Sequence, residues 1–252
     1  MPTGFLTLPR EIRDKIYELC LLVKGSIHPW DGFDEEELQE LSLGLFYTNK
    51  TISYEAGLIL YQNQFDFTKA DPEEVSSFLE KIGRSNADSI RHVVIEFPSL
   101  TNLELGSVAI HEYYVGILAS IQSHCTNLET LTTSRRTTDD MESTFNRLDD
   151  PEIVTKALTL VNTQFRAISS LQDIIVKVFE TPQYDHIRKQ FEDQGWIVDS
   201  NDYDSDWNSD ASGDDSDRSF IDRYRYNAFL DNNLRRYGYR DDLSDDDSDS
   251  DL

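Results

Sequence analysis

Asp71-Pro-Glu-Glu-Val-Ser-Ser-Phe-Leu-Glu-Lys-Ile-Gly-Arg-Ser-Asn-Ala-Asp-Ser-Ile-Arg-His-Val-Val-Ile-Glu-Phe97 reads as a helix followed by a strand. Pro72 suits the first helical position, and Glu74, three residues after Asp71, comes close to a capping box. Val75, Phe78, Leu79 and Ile82 form one apolar stripe, and Gly83 closes the helix. Ile90 to Phe97 is then a short β-branched run. The same order returns downstream. Ser107 can cap a helix striped by Ile110, Tyr114, Ile117, Ile121 and Cys125, ahead of a strand from Leu128 to Thr133. After a polar stretch, Ser134 to Asp149, that reads as a loop, Asp150-Pro151 opens a helix striped by Val154, Leu158, Val161, Phe165 and Ile168. A strand follows from Leu171 to Phe179. Thr181-Pro182 opens the last helix, which ends at Gly195 before the strand Trp196-Ile197-Val198. Strands alternating with helices at this spacing predict an α/β fold with a parallel or mixed sheet, with α+β as the alternative.

The strands share a spacing. Ile90-x-x-Val93-x-Ile95, Leu128-x-x-Leu131-x-Thr133 and Leu171-x-x-Ile174-x-Val176 match the core of a leucine-rich-repeat strand, whose first apolar residue anchors a turn. The starts are 38 and 43 residues apart, beyond the 20 to 29 of a standard repeat, so the expectation is irregular βα units. Any buried strand can also show this spacing.

Upstream, Gln64 to Phe67 alternates as a short strand, and Leu41 to Tyr61 reads as a helix. Asp34 to Glu40 holds five acids in seven residues, a solvated linker or the front of that helix, and His28 to Gly32 reads as a turn. The first helix lies within Phe5 to Val23, FLTLPREIRDKIYELCLLV. Leu8, Ile12, Ile16, Leu19 and Val23 recur at steps of four and three, and Pro9 sits in the first turn, where its missing N–H costs nothing.

A formal charge of −25, from 48 acids and 23 bases, disfavours nucleic acid and anionic membranes as partners and attracts basic ones. Cys20 and Cys125 both fall in helical apolar patterns, so no disulfide framework is expected. No apolar run approaches a membrane span, and the chain reads as intracellular, cytoplasmic or nuclear.

LPREIRDKIYELCL resembles the opening of F-box and F-box-like domains, whose signature is Leu-Pro-x-Glu-Ile. Tyr47-Thr-Asn-Lys-Thr-Ile-Ser-Tyr-Glu-Ala-Gly-Leu-Ile-Leu-Tyr61, continuing to Asn63, Phe65 and Phe67, is similar to the second block of a large fungal group of such proteins. Ile82-Gly83-x-x-Asn86-x-x-x-Ile90-Arg91-His92 resembles the segment after it. Asn49-Lys50 stands where that group usually has Cys-Arg, and Ser53 where it has Tyr. The resemblance implies an adaptor whose helical segment, 1–68, docks on the Skp-type linker of a cullin-RING ubiquitin ligase, while a βα domain, 69–199, holds a protein substrate. Leu8, Pro9, Ile12 and Ile16 are the candidate anchors for helix-in-groove docking. The same residues would equally serve to pack on the second helix and the sheet.

No motif announces catalysis, a metal or another cofactor, so the reading is a binding module and not an enzyme. His111-Glu112 lacks the second His of a zinc protease motif, and His124-Cys125 are adjacent, which turns them about 100° apart on a helix. From Asp199 the chain holds 17 Asp and six Arg in 54 residues. Residues 200–252 are therefore expected to be disordered, and Ser212, Ser219, Ser244 and Ser248 have the Asp three residues on that acidophilic kinases favour. All six Arg lie in 218–240, among Phe220, Ile221, Tyr224, Tyr226, Phe229, Leu230, Leu234 and Tyr237, a short docking segment for a partner or for the domain itself. The alternative function is a binding protein whose acidic tail takes basic partners such as histones or ribosomal proteins.

Overall fold

The spacing shared by the three strands is a shared register. Val93 stands opposite Leu131, and Leu131 opposite Ile174; Ile95, Thr133 and Val176 align in the same way. Ile90, Leu128 and Leu171, just before each strand, are buried. The turns stack too: Arg91 O accepts from the N–H groups of Glu129 and Thr130, and Glu129 O from those of Gln172 and Asp173. Chain units of unequal length thus repeat one geometry.

The computed structural model describes residues 4–30, 41–104, 106–148 and 150–200. Its main sheet contains β1 (Ser26–Ile27), β2 (Gln64–Asp66), β3 (His92–Ile95), β6 (Thr130–Thr133), β7 (Asp173–Lys177) and β8 (Ile197–Asp199). They lie side by side in that order and every pair is parallel. A separate antiparallel pair joins β4 (Leu100–Thr101) to β5 (Ala109–Ile110).

The helices are α1 (Arg10–Leu21), α2 (Lys50–Leu60), α3 (Pro72–Ile82), α4 (Arg84–Ala87), α5 (Glu112–His124), α6 (Arg135–Asn146), α7 (Pro151–Arg166) and α8 (Asp185–Asp193). Their starts follow capping chemistry. In α3 the expected capping box is complete: Glu74 N donates to Asp71 and Asp71 N to the Glu74 carboxylate. Gly83 ends that helix at φ +79°, where a side chain would be strained. Asn49 caps α2 and Asp150 caps α7.

Right-handed crossovers that always step the same way lay their helices on one face of a sheet. Burial marks that face. Ile27, Phe65, Val93, Ile95, Leu131, Thr133, Ile174 and Val176 are at most 2% exposed. Side chains alternate across a strand, so the outward set is Ser26, Gln64, Asp66, His92, Thr130, Asp173, Ile175, Lys177, Ile197 and Asp199, all half-buried or exposed. Val94 and Thr132, at the centre of the outward face, are buried.

One hydrophobic cluster runs from Tyr17 on α1 to Trp196 before β8. It crosses residue 68 without a break, since β2 pairs with β3 on the far side of that boundary. The two parts expected on either side of residue 68 therefore share a sheet and a core.

Four segments differ from their sequence reading. Leu41 to Tyr61 reads as one helix in the sequence, but Leu43–Tyr47 is a separate 3-10 helix and α2 begins only at Lys50, where Asn49 caps it. Ser134 to Asp149 reads as a loop in the sequence, but 135–146 form α6, whose inward face is Thr138, Met141, Glu142 and Phe145. Two of those four are polar, which hid the stripe. Thr138 Oγ1 is satisfied locally, 2.9 Å from Thr133 Oγ1 and donating to Ser134 O at 2.8 Å. Ile110 pairs in β5 instead of opening a helix, and His111 caps α5 through Nδ1. Ser26–Ile27, two residues long, gave no strand pattern, yet it pairs with Gln64 and Phe65. The acidic stretch 34–40, residues 201–252 and the four candidate phosphorylation serines lie outside the described residues. Among the described residues no helix is long and apolar enough to cross a membrane.

Candidate functional site

The candidate anchors sit on α1, which presents two stripes. Arg13, Tyr17 and Leu21, four residues apart, face the body; Tyr17 and Leu21 are fully buried. Arg13 and Tyr17 meet Glu55 on α2, itself 4% exposed. Its carboxylate accepts from Arg13 Nε at 2.8 Å and from Tyr17 Oη at 2.9 Å, and Arg10 Nη1 lies 3.3 Å away. The Arg13 bond, stronger here than the opposing cost of burial, holds the Glu55 carboxyl below its ordinary range. Burial and the bond to Glu55 push the Tyr17 hydroxyl up to about 12. Arg13 Nη1 also donates to Leu8 O at 2.6 Å and so fixes the residue before the helix.

The far end of α1 is pinned by Asn63. Its Nδ2 donates to Leu21 O at 2.7 Å and Leu60 O at 2.8 Å, while its Oδ1 accepts from Val23 N at 2.9 Å. One buried amide thus ties the last turns of α1 and α2 together at the entrance to β2. Phe5 packs edge-on against Tyr17 at 5.7 Å.

A polar network therefore holds the inward face, and the apolar stripe is left outside. Leu8 is 37% exposed, Ile12 44% and Leu19 85%. Pro9 is exposed, and Ile16 and Val23 are half-buried. Leu6 and Leu22 add exposed apolar surface at either end. Of the four candidate anchors the structure brings Leu8, Pro9 and Ile12 to the surface and leaves Ile16 at its margin. Glu55, which organises the element, was missed in the sequence. Its only signal is an acid on the inward face of α2 between Ile52, Ala56 and Ile59.

The second surface is the outward face of the sheet. His92 Nε2 lies 2.8 Å from Thr132 Oγ1, and burial lowers the His92 pKa, which keeps the imidazole neutral at pH 7. His28 Nδ1 stands 3.9 Å from Asp66 Oδ2 at the β1–β2 end. Asp173 is exposed.

The motifs weighed for catalysis have structural partners. Cys125 is fully buried, and burial pushes its thiol up to about 12, so it is neutral. His124 Nδ1 is 2.9 Å from Ser120 O. Glu142, buried on α6, accepts from Arg188 Nε at 2.9 Å through one oxygen, and burial raises its pKa. Among the described residues no three His, Cys, Asp or Glu side chains converge as a metal ligand set. Compared with protein-family models, with curated proteins and with solved structures, the chain matches none.

Proposed function

We propose that this chain is a protein-interaction adaptor in which α1 is the docking element. The observation that carries the reading is the inversion of α1: a buried ion-pair network fastens it to α2, and its apolar stripe faces solvent. Clustered exposed leucine and isoleucine on one helix cost solubility and are kept where a partner covers them. Steps of four and three between Leu8, Ile12, Ile16 and Leu19 suit a partner with an apolar groove. The F-box-like opening LPREI and the two blocks after it name that partner as the Skp-type linker of a cullin-RING ubiquitin ligase, with the βα body carrying a protein substrate.

The test is co-purification of the full chain with the linker protein. The double variant Leu8→Asp/Ile12→Asp should weaken the complex at least 30-fold, as expected for loss of about 2 kcal/mol at a docking centre. Both positions are outside the core, so the variant should keep the parent circular dichroism and melting temperature. A parent chain that does not bind the linker overturns the assignment of partner. A folded variant that binds as well as the parent overturns the role of the stripe.

A further inference from the structure

The outward face of the sheet has a feature that the α1 reading does not use. At its β7–β8 end the surface turns apolar: Ile175 is half-buried, Ile197 is 48% exposed, and Phe179, two residues past β7, is 43% exposed. Two acids flank this patch: Asp173 precedes Ile175 by two residues on the same face, and Asp199 follows Ile197 by two, while Asp66 lies in the row of Ile175 and Ile197 but three strands away from Ile175. Two bases lie with them: Lys177 stands opposite Asp199, and the Arg135 guanidinium lies over the Phe179 ring at 5.3 Å.

The chain leaves the described structure at this same place. β8 ends at Asp199 and is the last strand of the sheet. Beyond it, seventeen residues, 201–217, lead to Arg218–Arg240. That segment has six Arg against two Asp, interspersed with Phe220, Tyr224, Phe229 and Leu234. On either side of it every charged residue is Asp. Fully extended, seventeen residues reach about 55 Å, while six parallel strands span only about 24 Å. The tether is therefore ample, and a linker of this length holds its end at roughly millimolar effective concentration. An acidic body repels the two Asp runs and attracts what lies between them.

We propose that Arg218–Arg240 docks in cis on the β7–β8 end of the outward sheet face, its aromatic and aliphatic side chains covering Ile175 and Ile197 and its arginines facing Asp173 and Asp199. The segment thereby occupies, within one chain, a surface that a basic, aromatic-rich segment of another protein would need. The proposal is independent of what α1 binds.

A photo-crosslinking phenylalanine analogue installed at Ile197 of the full chain tests it. After irradiation of the monomer, mass spectrometry should map crosslinks into 218–240. The same analogue at Val115, 38% exposed on α5, should give at least fivefold fewer. The variant Arg223→Glu/Arg225→Glu/Arg235→Glu/Arg236→Glu keeps the tether and should lower the Ile197 crosslink at least fivefold. Crosslinks confined to 201–217, equal yields from Val115, equal yields from the Glu variant, or crosslinks between chains would each overturn it. Since none of these readouts involves α1, failure here leaves the adaptor reading standing, and loss of the linker complex leaves this one standing.

Discussion

Two buried carboxylates show how partner count sets the behaviour of a single residue. Glu55 receives donors from Arg13 and Tyr17, and its pKa falls below the ordinary value of 4.5. Glu142 uses one oxygen on Arg188, the other has no hydrogen-bond partner among the described residues, and burial raises its pKa. The lowered pKa makes Glu55 a source of stability that is full at neutral pH. It persists down to the unfolded value near 4.5 and is lost as pH falls through the lower folded value. Glu55→Gln should therefore cost about 2 kcal/mol at pH 7, the scale of hydrogen bonds to a charged group. Urea denaturation at pH 7 and again near pH 3 checks this: the gap between parent and variant should narrow at the lower pH. An unchanged gap would mean that shape, and not charge, is what α1 reads in Glu55.

At the scale of one element, α1 separates what a stripe of apolar residues can mean. Leu19 and Leu21 are two residues apart, equally aliphatic, and 85% and 0% exposed. Leu21→Ala should destabilise by about 2–5 kcal/mol, since it opens a cavity in the core. Leu19→Ala should stay within about 0.5 kcal/mol, as surface changes do. Guanidinium midpoints of the two variants decide it, and equal losses would place Leu19 inside the core. The existence of this helix was legible from its period and from Pro9. Which face packs was not, because the inward face is built on Arg13 and Tyr17, residues that composition assigns to the surface, and their acid partner lies 42 and 38 positions away. The same limit hid α6, whose inward positions include Thr138 and Glu142. By contrast α3 was legible to the residue, since its capping box and closing glycine are local interactions. Pattern reading works where the stabilising contact is near in sequence or apolar, and fails where a buried polar group is satisfied from afar.

For the whole molecule the question is whether the N-terminal helices form a unit of their own. Strand spacing made the α/β class and the Val93–Leu131–Ile174 row legible, but β1 is too short to show a pattern, so the sheet appeared to start later than it does. With β1 and β2 in place, a single parallel sheet and one core join α1 to α8, and a core that size without a seam should unfold in one step. Tryptophans report on both halves. Trp30 lies edge-on to Phe67 at 5.4 Å, and Trp196 stacks on Phe191 at 5.6 Å. Trp207 lies outside the described residues. Trp196→Phe/Trp207→Phe leaves Trp30 as the probe, and Trp30→Phe/Trp207→Phe leaves Trp196. In each variant the urea transition followed by fluorescence should coincide with that followed by far-ultraviolet circular dichroism of the same sample, whatever stability the substitutions remove. If Trp30 loses its environment at a lower urea concentration than the helices melt, the sheet has a weak seam near residue 68. The first helix would then be carried on a domain that opens separately from the one behind it.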